Sequence, residues 1–191
     1  MRERLQCASL LCSALLAAWP MRAAEPPALS ATMPSQSDVE AVYLFDFGKF
    51  VHWPSGADEG PLHLCIAATP SFVAGVQRTI ANETIDGRAL DVREVSRPED
   101  ELGCEILFID ASQGERSNAL LQGAAEKPIL TVSDLPDFLA RGGMIQFQIV
   151  QKRVRFSVNL DAVNRGHLLM SSELLKVAVD VKGHLEGGGA Q

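Results

Sequence analysis

Three polar side chains in the segment EAVYLFDFGKFVHWP, residues 40–54, are of the types that carry out acid–base chemistry. They are Asp46, Lys49 and His52, and they lie among aromatic residues that are normally buried. A carboxylate and an imidazole in contact could act as general acid and base. Asp46 and His52 are six positions apart, and this spacing places them on nearly opposite sides of a helix. The segment therefore predicts a core helix with polar flanks.

The apolar residues of this helix recur at the period expected for one buried face. The predicted stripe consists of Val39, Val42, Tyr43, Phe47, Phe50 and Val51. The polar residues Asp38, Glu40, Lys49 and His52 fall mainly beside it, and Asp46 lies near its edge. Ser37 is predicted to cap the helix, which then runs to Trp53 because a residue before proline leaves the helical region.

Serine, histidine and aspartate, the residues of a hydrolase triad, also occur elsewhere in the chain. No G-x-S-x-G segment is present, and nothing places Ser112, Ser133 or Ser171 on a strained strand-to-helix turn. No G-x-x-x-x-G-K-[ST] phosphate loop occurs either. The sequence therefore predicts a protein that is not an enzyme and carries no cofactor.

The first 24 residues have the pattern of a secretory signal. Arg2 and Arg4 form a basic end, and the apolar run of residues 5–18 is too short to span a bilayer. Cleavage near Ala24 would leave 14 basic and 23 acidic residues, a formal charge of −9. An acidic exported domain of this kind lacks the positive patch that nucleic acid requires.

Four cysteines occur in the chain, and the signal contains Cys7 and Cys12. Cys65 and Cys104 remain, and in an oxidising compartment a single pair is first interpreted as a disulfide. A metal site would need two further ligands at close spacing, and a redox site would need C-x-x-C. Neither C-x-x-C nor H-x-x-x-H is present, so both alternatives lack their motif.

The segment NRGHLLM provides two candidate ligand-binding residues, Arg165 and His167, which could receive an anionic or aromatic molecule. The apolar residues near them supply more apolar surface than one short C-terminal helix needs to pack on the domain. They therefore either cover a sheet or contact a partner. The candidate partner-binding residues are Leu168, Leu169, Met170, Leu174 and Leu175.

Short apolar runs, and in places alternation of apolar and polar residues, predict the strands that would position these side chains. The strands are LHLCIAA, RALDVREV, CEILFIDA and KPILTVSDL, followed by MIQFQIVQKRVRFSVNL. This last run is longer than one strand and has Gln151 and Lys152 at its centre, which predicts an antiparallel hairpin.

Helices are predicted between and after these strands, at SFVAGVQRTIA, SQGERSNALLQGAA and, more briefly, PDFLARGG before Gly142 and Gly143. Ser171 or Ser172 is expected to cap a last helix that runs through Val181. Strands alternating with helices indicate one α/β domain in three layers, with a mostly parallel sheet, a C-terminal antiparallel hairpin and helices on its faces.

The predicted organisation has four parts. A signal sequence occupies residues 1–24, and a proline-rich flexible leader follows at 25–36. The domain spans residues 37–182, and a glycine-rich flexible tail spans 183–191. We find no internal repeat.

Four motifs in order, AVYLFDFGKFVHWP, GGMIQF, RVRFSVNLDA and SSELLKVA, together with the two cysteines at strand starts, resemble the YfiR family of exported proteins. The resemblance covers roughly residues 38–181. It implies a periplasmic α/β domain in which Cys65 and Cys104 form the family's structural disulfide. The second disulfide of some members has no counterpart here, and Asp46 stands where an asparagine is expected.

The resemblance also implies a function. A YfiR-like protein represses a membrane-bound diguanylate cyclase of the YfiN type, which lowers cyclic-di-GMP and biofilm formation. It is sequestered by a YfiB-type outer-membrane lipoprotein and tends to form a homodimer. The alternative is a periplasmic sensor module that binds a small molecule through Arg165 and His167 and signals to another membrane protein. A third alternative is an enzyme with an unfamiliar site.

Overall fold

The computed structural model of the 191-residue chain describes residues 34–54 and 60–184. The predicted signal sequence lies outside this part of the chain, as do residues 25–33 of the predicted leader and 185–191 of the predicted tail. Within the described residues, no helix is long and apolar enough to cross a membrane.

The first helix, α1, spans Gln36–Phe50 and begins at a capping box. The Ser35 hydroxyl accepts from the Asp38 amide at 3.2 Å, and an Asp38 carboxylate oxygen accepts from the Ser35 amide at 2.9 Å. The prediction that Ser37 caps the helix was therefore wrong, because Ser35 makes both bonds with Asp38. The predicted end at Trp53 was also wrong, since the chain becomes extended at strand β1, Val51–His52.

The buried face of α1 differs from the predicted stripe. Its buried residues are Glu40, Ala41, Leu44, Phe47 and Gly48. Val42 is exposed, whereas Glu40, predicted at the flank, is 2% exposed. A Cβ at Gly48 would lie 2.5 Å from Ile85 Cδ1, so this glycine allows the helix to approach the sheet closely.

The remaining elements follow in the predicted alternation of strands and helices. They are β2 (Leu62–Ala67), α2 (Pro70–Thr79), β3 (Thr84–Ile85), β4 (Arg88–Glu94), β5 (Ile106–Ile109), α3 (Arg116–Ala124), β6 (Leu130–Ser133), β7 (Ile145–Val150), β8 (Arg153–Asn159), α4 (Leu160–Arg165), β9 (Leu169–Met170), α5 (Ser172–Val177) and β10 (Asp180–Lys182). Two short 3₁₀ helices lie at Pro98–Glu101 and Ala111–Gln113.

The main sheet has eight strands in the order β10-β8-β7-β6-β5-β2-β4-β3, and β1 pairs separately with β9. Strands β4, β2, β5, β6 and β7 are parallel neighbours, while β8 is antiparallel to β7 and β3 to β4. The five parallel strands have the flavodoxin-like order, in which the chain reverses direction across the sheet between β2 and β5. The predicted α/β architecture is confirmed.

Alternate residues of the central strands pack on opposite faces of the sheet. Leu64 of β2 and Phe108 of β5 join the core under α1 and α2. Cys65 and Leu107 join a second core that includes Leu120 of α3. Helices therefore cover both faces, as the three-layer prediction requires.

The C-terminal hairpin is confirmed, with Val150 of β7 opposite Arg153 of β8. Gln151 and Lys152 form the turn, and both have positive φ angles, 50° and 63°. Positive φ at both central residues is the geometry of a type I′ turn, whose twist matches that of paired strands.

Two predicted helices differ from the structure. The segment PDFLARGG forms turns rather than a helix, and the last helix ends at Val177 rather than Val181. Residues 180–182 instead pair with β8 as β10, because Val179 donates its amide to the Phe156 carbonyl and starts the ladder. The short helix α4 was not predicted.

Candidate functional site

The two cysteines of the domain form the disulfide that the sequence predicts, between Cys65 within β2 and Cys104 just before β5. Their Cα atoms are 5.8 Å apart, and 39 positions separate them in the chain. Both are buried in the core under α3. Because β2 and β5 are parallel neighbours at the reversal of strand order, the bond ties the two halves of the sheet together.

Asp46 and Lys49 lie on α1, whereas His52 lies on β1. Lys49 Nζ lies 2.9 Å from Asp46 Oδ1 and 3.8 Å from the centre of the Phe45 ring, so the pair is a local ion pair on the helix surface. His52 is exposed and lies opposite Leu169 in the β1–β9 pair. These three residues do not form an acid–base site.

The three candidate serines have structural roles. Ser133 Oγ donates to the Ile109 carbonyl, and Ser171 caps α5 through the Glu173 amide. Ser112 donates its amide to Asp110 at the start of a 3₁₀ helix. In the described residues, no group of three or more His, Cys, Asp or Glu side chains is placed to hold a metal ion.

A partly exposed polar cluster joins β2 and β4, and the sequence did not predict it. His63 Nδ1 lies 3.1 Å from Asp91 Oδ2, Arg93 Nε lies 2.9 Å from the same oxygen, and Arg93 Nη2 lies 3.0 Å from His63 Nε2. The hydrogen bond from Arg93 holds the pKa of Asp91 below its usual value. Asp91 and Arg93 are two positions apart on β4, so the sequence alone places them on one face of that strand. That His63 lies beside them follows only from the pairing of β2 with β4, which the sequence does not show.

Acidic residues meet at the carboxyl ends of β5 and β6, beside the point between β2 and β5 where the strand order reverses. Asp110 follows β5 and Asp134 follows β6, and both accept backbone amides near the start of the Ala111–Gln113 turn. Burial raises the pKa of Glu40 to about 7, and the charges of Asp134 and Asp110 add to this effect. Gln36 donates to Glu40 Oε1 at 2.8 Å. The bonds to Asp110 and Asp134 are exposed and Glu40 is buried, so this edge is a partly buried polar network.

The candidate partner-binding residues divide into buried and accessible members. Leu168, Met170 and Leu174 are buried in the core under α1 and α2, so they do not offer a surface to a partner. This corrects the prediction, and the reason is that α5 and β9 close over that core. Leu169 is 66% exposed and Leu175 is partly buried, so only these two present accessible area.

The two candidate ligand-binding residues lie at the end of α4 and just after it. Arg165 borders a surface cavity of about 230 Å³, together with Arg141 and Thr131. His167 is exposed, with a positive φ of 55°, and it is not among the residues that line this cavity. Arg165 therefore lines the same cavity as Arg141, a residue that the sequence did not indicate.

The strand order and the helices on both faces define an α/β domain with a flavodoxin-like sheet. The chain matches the YfiR/HmsC-like family over residues 37–179, well over half of its length. It belongs to this family, whose members are regulators rather than catalysts. Membership supports a role connected with the regulation of cyclic-di-GMP in the periplasm.

A solved structure with a similar fold is the crystal structure of a conserved domain protein from Vibrio cholerae O1 biovar El Tor. The TM-score is 0.50, the sequence identity is 11%, and the match covers 78% of this chain. This chain spans 60% of the length of that protein. At this identity the likeness shows the fold alone.

Proposed function

We propose that this protein is a non-catalytic periplasmic regulator that binds a membrane-bound diguanylate cyclase of the YfiN type and represses it. Repression lowers cyclic-di-GMP and with it biofilm formation. The observation that carries the proposal is the family match across residues 37–179, nearly the whole of the described domain. A YfiB-type outer-membrane lipoprotein would relieve the repression by sequestering the protein, which is expected to act as a homodimer.

A soluble domain changes the activity of a membrane enzyme only if it binds one conformation of that enzyme better than another. Repression therefore requires a rigid surface that fits the inactive arrangement of the cyclase's periplasmic region. The disulfide between Cys65 and Cys104 supports this requirement, because it links the neighbouring strands β2 and β5. The signal sequence predicted at residues 1–24 supports export to the compartment where such a disulfide forms.

The exposed apolar residues near the carboxyl end of the domain are the surface we assign to the cyclase. We call them the C-terminal apolar set, and they are Leu169, Val177, Val179 and Val181. They replace the buried leucines among the first candidates. Val177 is 56% exposed and Val179 is 49% exposed, so both offer apolar area that a partner would cover.

The first test of the proposal is a measurement of cyclic-di-GMP in cells that express a YfiN-type cyclase. Deleting the gene should raise cyclic-di-GMP, and restoring the exported protein should lower it again. A form without residues 1–24 should fail to restore repression, because it stays in the wrong compartment. Unchanged cyclic-di-GMP on deletion would contradict the proposal.

The assigned surface is tested by placing a charge on it. Val179→Asp should abolish repression while leaving the fold intact, because the Val179 side chain is half exposed. Val42→Asp is the matched control, since Val42 is a similarly exposed valine on α1. Equal repression by both variants, with unchanged circular dichroism, would show that the C-terminal apolar set is not the contact.

A second candidate function is supported by the cavity that Arg165 and Arg141 border. Two arginines line this cavity against one acidic residue, Glu126, and this balance favours an anionic ligand, as a small-molecule sensor module would require. Arg165→Ala should then remove a response to that ligand without changing repression in its absence. If the variant instead loses repression outright, Arg165 belongs to the cyclase contact and the sensor alternative fails.

A further inference from the structure

A second cavity, of about 340 Å³, opens at the amino edge of the sheet, away from the surfaces assigned above. Its walls are mainly apolar and include the Trp53 indole, Leu102, Cys104 and Ile129. Trp53 is held in place because its Nε1 donates to the Glu105 carbonyl at 3.1 Å. Leu102, on the rim, is 82% exposed, the largest exposed fraction among the large apolar side chains of the described residues. The volume and lining are those of a small-ligand pocket.

One lining residue of this cavity, Glu101, is chemically unusual. It is 1% exposed, and neither carboxylate oxygen has a hydrogen-bond partner among the described residues. Both oxygens lie against α3, where a Cβ at Gly123 would come within 2.8 Å of Oε2 and 3.1 Å of Oε1. Leaving a buried carboxyl without a donor is costly, so such a group in a native protein requires a specific explanation.

We propose that this cavity binds a small apolar amine, whose ammonium group donates to Glu101 and whose apolar body packs on Trp53, Leu102 and Ile129. Because both carboxylate oxygens lie against α3, the proposal requires a change of the Glu101 side-chain rotamer that turns them toward the cavity. This binding is separate from contact with the cyclase and does not depend on it.

The charges around the cavity favour an amine over other ligands. Glu101 can accept two or more hydrogen bonds when it is ionised and receives none from the described protein. The neighbouring charges are Lys127, which favours the ionised form, and Glu99 and Asp100, which oppose it. Burial raises the pKa of Glu101 to about 7, so the carboxyl ionises when an ammonium group arrives at neutral pH. A carboxylate ligand would instead have to pair with Lys127 beside this acidic turn.

The test uses 2-phenylethylamine as the probe and 3-phenylpropionate as an anion of similar size. The chain has two tryptophans and Trp19 lies in the predicted signal sequence, so in the exported protein the fluorescence reports Trp53 alone. We expect the amine to produce a saturable change in Trp53 fluorescence and the carboxylate to produce none. Calorimetric titration with the same two compounds measures binding independently of the fluorescence.

Glu101→Gln should weaken binding of the amine by about tenfold or more, which is the loss expected for one charge-assisted hydrogen bond. Glu99→Gln is the matched control, because Glu99 lies on the same turn and is exposed. Affinity for the amine should also rise as the pH passes 7 in the parent protein, and not in Glu101→Gln.

Three results would overturn the proposal. They are saturable binding of the carboxylate in place of the amine, equal affinities in Glu101→Gln and Glu99→Gln, or no binding of the amine by calorimetry. The last result would mean that Glu101 stays protonated and that the cavity holds only water. Cyclic-di-GMP repression does not enter these measurements, so either proposal can fail without the other.

Discussion

Arg88 Nη2 lies 2.6 Å from Glu105 Oε1, and this ion pair joins the start of β4 to the residue before β5, across the intervening strand β2. The other Glu105 oxygen accepts the His63 amide at 2.7 Å, and Arg88 also donates to the Gly60 and Pro61 carbonyls. The two charged side chains are only 14% and 10% exposed. One ion pair thus connects three strands at the reversal of strand order.

Breaking this pair should destabilise the domain strongly. Arg88→Met would leave Glu105 as a buried charge with its main partner removed, and we expect a loss of about 3 kcal/mol in the free energy of unfolding. Urea denaturation followed by circular dichroism measures it. Arg97→Met is the control, because the Arg97–Asp100 pair is exposed and should contribute nothing measurable. Equal losses in the two variants would show that burial does not strengthen the Arg88 pair.

Removing the disulfide should lower stability by up to about 4 kcal/mol on the chain-entropy model, since it closes a loop of about 40 residues. The double variant Cys65→Ser/Cys104→Ser is compared with the parent protein in thermal unfolding, with and without reductant. Reductant should lower the unfolding temperature of the parent to that of the variant and leave the variant unchanged. A parent protein that does not respond to reductant would contradict the bond.

Stability should fall as the pH rises from about 4.5 to 7, because burial raises the pKa of both Glu40 and Glu101 to about 7 from the ordinary 4.5. In this window the unfolded chain releases two protons that the folded protein retains. The free energy of unfolding therefore falls with each unit by which the pH rises. Glu40→Gln, which resembles the neutral acid, should match the parent near pH 4.5 and exceed it in stability above pH 7. The exposed Glu99→Gln should follow the parent throughout. A Glu40→Gln curve parallel to that of the parent would show that Glu40 is ionised in the folded protein.

The hairpin turn offers a stabilising change. Gln151 and Lys152 both adopt positive φ, a conformation that costs residues with a side chain roughly 1 kcal/mol each. Replacing them by asparagine and glycine, as Gln151→Asn/Lys152→Gly, should raise the free energy of unfolding by about 1 kcal/mol. Lys152→Ala keeps a Cβ at the same position and should give no such gain. If the two variants are equally stable, the turn is not strained.

The order of strands and helices could be predicted because it follows from local patterns. The alternation in RALDVREV and the long run around Gln151 both appear in the structure, as β4 and the β7–β8 hairpin. The disulfide could be predicted from the oxidising compartment and from the number of cysteines, since Cys65 and Cys104 were the two cysteines outside the predicted signal sequence. These inferences do not require knowledge of the tertiary contacts between helices and strands.

The parts that failed depend on tertiary contacts. Glu40 was placed at the flank of α1, but the helix approaches the sheet along Leu44 and Gly48 and takes Glu40 into the interior. Leu168 and Leu174 were expected either to cover a sheet or to contact a partner, and they cover the core because β9 and α5 close over it. The Glu101 cavity could not be predicted, because it is lined by segments around Trp53, Cys104 and Ile129 that only the fold brings together.

The packing of α1 has a consequence for the chain while it is being made. The Phe47 ring lies 5.8 Å from that of Phe147 and 5.1 Å from that of Phe156, and Tyr43 contacts the same two rings. These partners leave the ribosome about 100 residues after α1, since synthesis runs from the amino end. Until then the aromatic face of α1 has no hairpin to pack on, and the main core cannot close. This aromatic core therefore closes only when the last quarter of the chain has been made.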